Sequence, residues 1–252
     1  MTGNTTHFKK LPDRQVQPAC WHGPLPEPSV RTVDDLLGVL VHPDCRITGP
    51  AYYMYRAVAK SDEDRTWMES RNIRFDITVI PPTNLCGEYI KTKGHYHPDD
   101  PSGTGYPEIY EVLAGEAHYL IQTRDCSDVV MISARAGDVI VVPSGYGHVT
   151  INPSKKHVLE MANIVSSRFT SNYQGYEARH GAAYFEMANG ELVKNPAYPE
   201  RTTLRLVQAQ RLIDLSNTIS DPLYQLIMKQ APVLEFLNYP EKFEALMRDV
   251  YP

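Results

Sequence analysis

Between residues 52 and 165 the chain is a succession of short apolar stretches, each cut off by Gly, Pro, Asn or Asp. Residues 52–58, 73–80, 88–91, 109–114, 118–122, 129–133, 138–142 and 157–165 each read as a β-strand. Many short strands with closely spaced turns predict a sandwich or a barrel rather than a helical or doubly wound fold. Ligands held in such a barrel must come from several strands, because each strand offers only alternate side chains to one face.

Gly94-His95-Tyr96-His97 supplies two imidazoles on one face of a strand. Glu108 follows after a loop, far enough downstream to return on a neighbouring strand. His148 comes just beyond an apolar strand that Pro143 stops. Three imidazoles and one carboxylate suit a borderline divalent ion such as Fe(II), Mn(II), Ni(II) or Zn(II). We therefore assign His95, His97, Glu108 and His148 as candidate metal ligands. Tyr110, two residues after Glu108, shares its face and can position it or hydrogen-bond a ligand oxygen.

These residues carry a resemblance. Gly-x-His-x-His with a later Glu, then a Gly-Asp turn, a Pro and a His, is similar to the two motifs of the cupin superfamily. Thr78-Val79-Ile80-Pro81-Pro82, the run from Gly87 to His97, and Glu108 to Gly115 resemble the first motif of the archaeal-type, cupin phosphoglucose isomerases. Pro143 to Asn152 resembles the second, with Ser144 in place of a second Pro. The resemblance covers about residues 50–190. It implies a mainly β cupin fold, a double-stranded β-helix or jelly-roll barrel, and one divalent ion per subunit, with Fe(II) favoured. It also implies interconversion of glucose 6-phosphate and fructose 6-phosphate, a step of glycolysis and gluconeogenesis, with phosphate contacts at Thr78, Thr92 and Gly94. That family has a His-x-Tyr element where this chain has Ser171-Asn172-Tyr173. His180, Tyr173 and Tyr176 are expected on the far side of the pocket. Strand parity sends Lys91 and Lys93 away from Thr92, to solvent.

Two chemical routes stay open. Glu108 can act as a base that takes the C2 proton, with Tyr110 assisting, or a hydride can pass between C2 and C1 under metal assistance. We favour proton transfer. The alternatives at the level of function are another metal cupin, such as a free-sugar isomerase or an oxygenase, and a non-catalytic sugar-binding cupin.

The rest of the chain sets limits. A formal net charge of −5 without a basic run argues against nucleic acid as a partner. No apolar run reaches membrane-spanning length, and the polar N-terminus does not read as a secretory signal. Cys20, Cys45, Cys86 and Cys126 are scattered without a C-x-x-C, which predicts reduced thiols and a cytoplasmic protein. Three segments follow: an N-terminal arm and helix over 1–49, the barrel over 50–198 and a helical extension over 199–252. The arm is rich in Pro, and its helix is expected after Thr32, with Leu36, Leu37 and Leu40 as the apolar stripe. Residues 61–70 read as a hairpin tip or a single helical turn. Helices are expected from Pro222, burying Leu223, Leu226 and Ile227, and over 241–250. Exchange of arm or tail between subunits predicts a homodimer.

Overall fold

The protein is described by a computed structural model, covering residues 9–13, 15–209, 222–243 and 251. Its strands are β1 (Lys9–Lys10), β2 (Ser29–Thr32), β3 (Ile47–Thr48), β4 (Pro50–Tyr55), β5 (Ile73–Ile80), β6 (Asn84–Leu85), β7 (Glu88–Tyr89), β8 (His95–Tyr96) and β9 (Glu108–Ala114). They continue as β10 (Glu116–Thr123), β11 (Val129–Arg135), β12 (Val139–Val142), β13 (Tyr146–Ile151), β14 (Leu159–Ser166), β15 (Tyr184–Glu186), β16 (Leu192–Lys194) and β17 (Leu204–Gln208). The α-helices are α1 (Asp62–Ser70), α2 (Gln174–Glu177) and α3 (Leu223–Met228).

Two sheets dominate, with strand orders β12-β9-β14-β5-β4-β2 and β17-β11-β10-β13-β8. The architecture is the mainly β jelly-roll barrel that the resemblance implies. Between the sheets lies a core that includes Tyr52, Ile80, Val112, Tyr119, Ile121, Ile132 and Met161. The outer faces are covered as well. Phe75, Ile77 and Val79 pack outward under Trp21, Leu223, Tyr224 and Phe236. Tyr96, Leu120 and Val149 pack outward against Tyr176 and Tyr198. Ile73–Ile80 shows the consequence. Its odd positions are apolar and face the outer layer, so the even positions Arg74, Asp76 and Thr78 face the interior.

Several expectations need correction. Leu204–Gln208 is a strand paired parallel to β11, so the segment after residue 198 is not wholly helical and extends the five-stranded sheet. Ser29–Thr32 pairs with β4, so the six-stranded sheet begins before residue 50. The helix expected after Thr32 shrinks to a 3₁₀ turn, Leu37–Val39, because Asp35 closes a local turn on the Thr32 N–H and hydroxyl and Gly38 weakens helix propagation. Residues 62–70 form a regular helix capped by Ser61 Oγ, which accepts from the Asp64 N–H at 3.1 Å. α3 buries Leu223, Leu226 and Ile227 as expected. Of the helix expected over 241–250, residues 244–250 lie outside the described residues, and Pro240–Phe243 is 3₁₀.

Cys45 and Cys86 form a disulfide, where four reduced thiols were expected; Cys20 and Cys126 are free. The partners are 41 residues apart in sequence, and only the folded chain brings their Cα atoms to 5.7 Å. The cysteine spacing therefore gives no support for a reducing compartment. Among the described residues no helix is long and apolar enough to cross a membrane.

Candidate metal centre

The four expected ligands meet. His95 and His148 face each other across the β8–β13 pair in the register His148↔His95. His97 follows β8 by one residue, and Glu108 opens β9 on the opposite sheet. One donor atom from each of the four lies within 4.8 Å of the others. His95 Nε2 is 3.2 Å from His97 Nε2. Glu108 Oε2 is 3.3 Å from His97 Nε2 and 3.5 Å from His148 Nε2.

The surroundings fix how these groups point. His97 Nδ1 donates to the Tyr106 carbonyl at 2.9 Å, which leaves the Nε2 lone pair directed at the cluster. Asn163 Nδ2 donates to Glu108 Oε1 at 2.7 Å and orients the carboxylate. Tyr110 Oη lies 3.2 Å from His148 Nε2. Phe169 stacks on Tyr106 and lies 4.4 Å from the His97 ring, closing that side. Burial, with His148 and His97 alongside, holds the His95 imidazole well below its ordinary pKa. Burial also brings His148 down to about 4, against the opposing pull of Glu108. Against burial, which raises it, the neighbouring His97, His148 and Arg74 side chains hold the Glu108 carboxyl below its ordinary pKa. Neutral His95 and His148 imidazoles beside an ionised carboxylate are the protonation states that metal coordination requires.

The donor set fits a divalent cation. Glu108 Oε2 is buried without a hydrogen bond, with the Nε2 atoms of His97 and His148 at 3.3 and 3.5 Å. With His97 Nδ1 donating to the Tyr106 carbonyl, its Nε2 is left facing that oxygen, and a cation held between them satisfies both.

The same pocket is lined by Thr78, Thr92, Gly94 and Tyr110, all expected there, and by Tyr173 and Ser171. Gly94 has φ +81, and a Cβ there would come 2.6 Å from Val149 Cγ2, so the close approach needs glycine. Tyr176 and His180 are not in the pocket: Tyr176 packs under Gly94 in the outer core and His180 is exposed. Neither lysine is a solvent residue. Lys91 is buried in an ion pair with Glu88. Lys93 lines the pocket, 2.6 Å from Glu177 and 5.6 Å from the Tyr173 ring centre. Parity failed because residues 92–94 are not a regular strand and Gly94 turns the chain.

Sequence reasoning missed Arg56, Arg74, Asp76 and Asn163 on the pocket wall. Parity would have found two of them, since Arg74 and Asp76 precede Thr78 by four and two positions on one strand.

A buried three-His, one-Glu cluster spanning two facing sheets defines a β-barrel protein able to hold a divalent ion in a polar pocket. The family model for glucose-6-phosphate isomerase (GPI) matches residues 30–202, and the chain belongs to that family. The glucose-6-phosphate isomerase of Thermococcus litoralis is 27% identical over 139 residues, covering 53% of this chain and 67% of that protein. The one from Pyrococcus furiosus is 29% identical over 129 residues, covering 49% of this chain and 62% of that protein. The chain spans 46% to 67% of the length of the curated relatives it matches. A cupin superfamily protein from Desulfitobacterium hafniense aligns in structure over 46% of this chain and 76% of that one, at 19% identity and a TM-score of 0.29.

Proposed function

We propose that the protein is a metal-dependent aldose–ketose isomerase that interconverts glucose 6-phosphate and fructose 6-phosphate. The observation that carries this reading is the shared pocket, in which the His/Glu cluster adjoins Thr78, Thr92 and Gly94.

A divalent ion held by His95, His97, Glu108 and His148, Fe(II) in our reading ahead of Mn(II), Ni(II) or Zn(II), would polarise the sugar carbonyl. Glu108 takes the proton from C2 and returns it to C1. Asn163 donates to one carboxylate oxygen and so fixes the orientation of the carboxylate. Tyr110 is placed to hydrogen-bond a substrate oxygen from its position beside His148. Phosphate is met by the hydroxyls of Thr78 and Thr92 and the N–H of Gly94. Thr92 Oγ1 already accepts the Thr150 N–H at 2.9 Å, so its own O–H is left to donate. Lys93 adds positive charge at that wall, although the chain as a whole is acidic.

The test is a coupled assay of fructose 6-phosphate conversion before and after chelation, with each of the four metals added back. We expect chelation to abolish turnover and one metal to restore it; full activity in metal-free protein would overturn the reading. Run in D₂O, the proton-transfer route places solvent deuterium on the product carbon, whereas a hydride route leaves that carbon unlabelled. For assembly we propose a homodimer, on the general frequency of two-fold oligomers; light scattering reads its mass.

A further inference from the structure

Asp76 is only 2% exposed, yet its carboxylate is filled from three directions. The Ala57 N–H donates to Oδ1 at 2.9 Å. Arg74 Nε and Arg56 Nη1 donate to Oδ2 at 2.8 and 3.1 Å. Two guanidinium groups on one carboxylate leave one unbalanced positive charge, and both arginines line the pocket that holds the His/Glu cluster. Arg56 spends a further N–H on Met54 Sδ, a weak acceptor, at 3.2 Å. Arg74 makes no other hydrogen bond among the described residues, so the far end of its guanidinium still has donors to offer.

Strand register says where those donors stand. Arg74 pairs with Val165 across β5 and β14, and Val165 pairs with Glu108 across β14 and β9. Arg74 and Glu108 therefore share one row of the sheet, two strands apart, with their backbones separated by roughly 10 Å. Both side chains face the same pocket, so a long guanidinium side chain closes most of that gap. Arg74 is also among the charges that lower the Glu108 carboxyl. In the next row Asp76 pairs with Asn163, and Asn163 with Tyr110, so the anchor of Arg74 aligns with the residue that orients Glu108.

The chemistry supplies a use for this charge. When Glu108 takes the C2 proton it becomes neutral, and the negative charge passes to the oxygens at C1 and C2 as an enediolate. When the hydroxyl proton has passed from O2 to O1 and the carbon-bound proton returns to C1, the carboxylate is restored and the charge leaves the sugar. A hydride route also builds negative charge on these oxygens before transfer. A fixed cation beside them stabilises the transition state more than the neutral ground state, and it costs no reorganisation if it is already clamped.

We propose that Arg74 is a catalytic residue: its guanidinium, clamped by the buried Asp76 and flanked by Arg56, contacts the oxygens at C1 and C2 and takes up the charge that develops there. This inference rests on the isomerase reading above. It assigns Asp76 and Arg56 as positioning residues, and it separates this wall from the Thr78, Thr92 and Gly94 side that meets phosphate.

The experiment compares the metal-loaded protein with Arg74→Gln and Arg74→Ala, using fructose 6-phosphate as substrate. For Arg74→Gln we expect kcat to fall at least about thirtyfold with KM within about threefold of the unaltered protein. Calorimetric affinity for fructose 6-phosphate should change as little as KM. Added guanidinium ion should restore part of the kcat of Arg74→Ala, which a misfolded variant cannot show, and methylammonium should restore less. Metal content measured beside each assay should be unchanged. Normal kcat in Arg74→Gln would overturn the inference, as would a raised KM with kcat intact, which would place the phosphate on this wall instead. Absence of guanidinium rescue would also overturn it. Absence of turnover in the unaltered protein would remove the isomerase reading as well, so the two failures are told apart by that control.

Discussion

The backbone carbonyl of Tyr106 accepts a hydrogen bond from His97 Nδ1 at 2.9 Å. A carbonyl cannot donate, so the proton sits on Nδ1 and the Nε2 lone pair is turned to Glu108 and His95. One contact thus sets the tautomer of a candidate ligand. It comes from the loop between His97 and Glu108, which Arg124 further anchors by donating to the His97 carbonyl at 2.8 Å.

The first prediction concerns the donor set. His148→Ala removes one of four converging donors. We expect metal affinity to fall by more than the 10–100-fold that altering a ligand's hydrogen-bond partner typically costs. Metal retained after dialysis against a weak chelator measures it. The rise in unfolding temperature on metal addition should vanish in parallel, and undiminished metal retention would contradict the assignment.

The second concerns pH. In the metal-free fold burial holds His148 at about 4 and His95 well below its ordinary value, while an unfolded histidine titrates near 6.5. Between those values the unfolded chain binds more protons, so the stability of chelated protein must fall as pH drops from about 6.5 toward 4. The expected slope is roughly 1.4 kcal/mol per pH unit for each such histidine. Urea unfolding of chelated protein at pH 7, 6 and 5 reads the slope, and His148→Gln should make it shallower. A flat profile would be inconsistent with buried neutral imidazoles.

The third concerns a buried ion pair. Glu88 and Lys91 are 0% and 3% exposed, and Glu88 also accepts the Val41 N–H at 2.8 Å. Lys91→Met strands a carboxylate out of water, which should cost roughly 3–5 kcal/mol in urea unfolding. Adding Glu88→Gln keeps an acceptor for Val41 and removes the charge, so the double variant should recover most of the loss. A single-variant loss below about 1 kcal/mol would mean that water reaches Glu88.

The fourth concerns backbone shape. Gly94→Ala must hold φ +81 and place a methyl 2.6 Å from Val149 Cγ2 and 2.9 Å from Tyr176 Cδ1. Left-handed strain and overpacking together should cost roughly 2–4 kcal/mol. Denaturant midpoints compare the two proteins, and an unchanged midpoint would show that Tyr176 moves aside freely.

Much of the fold is legible where alternation is strong. The strand expected over 73–80 is found as Ile73–Ile80, because odd apolar positions are continuous and Pro81 stops the run. Tyr146–Ile151 is less legible, because Gly145 precedes it and Gly147 interrupts the strand that carries His148. Leu204–Gln208 gave little signal: it is an edge strand, and Leu206 is 69% exposed, so it lacks a buried face.

The sequence by itself determined the β periodicity, the spacing of His95 and His97 on one face, and the turns that end the strands, since all of these are set by residues a few positions apart. Tertiary structure alone decided that His148 meets those histidines from the neighbouring strand and Glu108 from the facing sheet, that Lys93 turns into the pocket, that Arg56 and Arg74 share Asp76, and that Cys45 reaches Cys86. Each of these depends on the register between distant strands or on the path of an irregular loop, which no local pattern of side chains encodes.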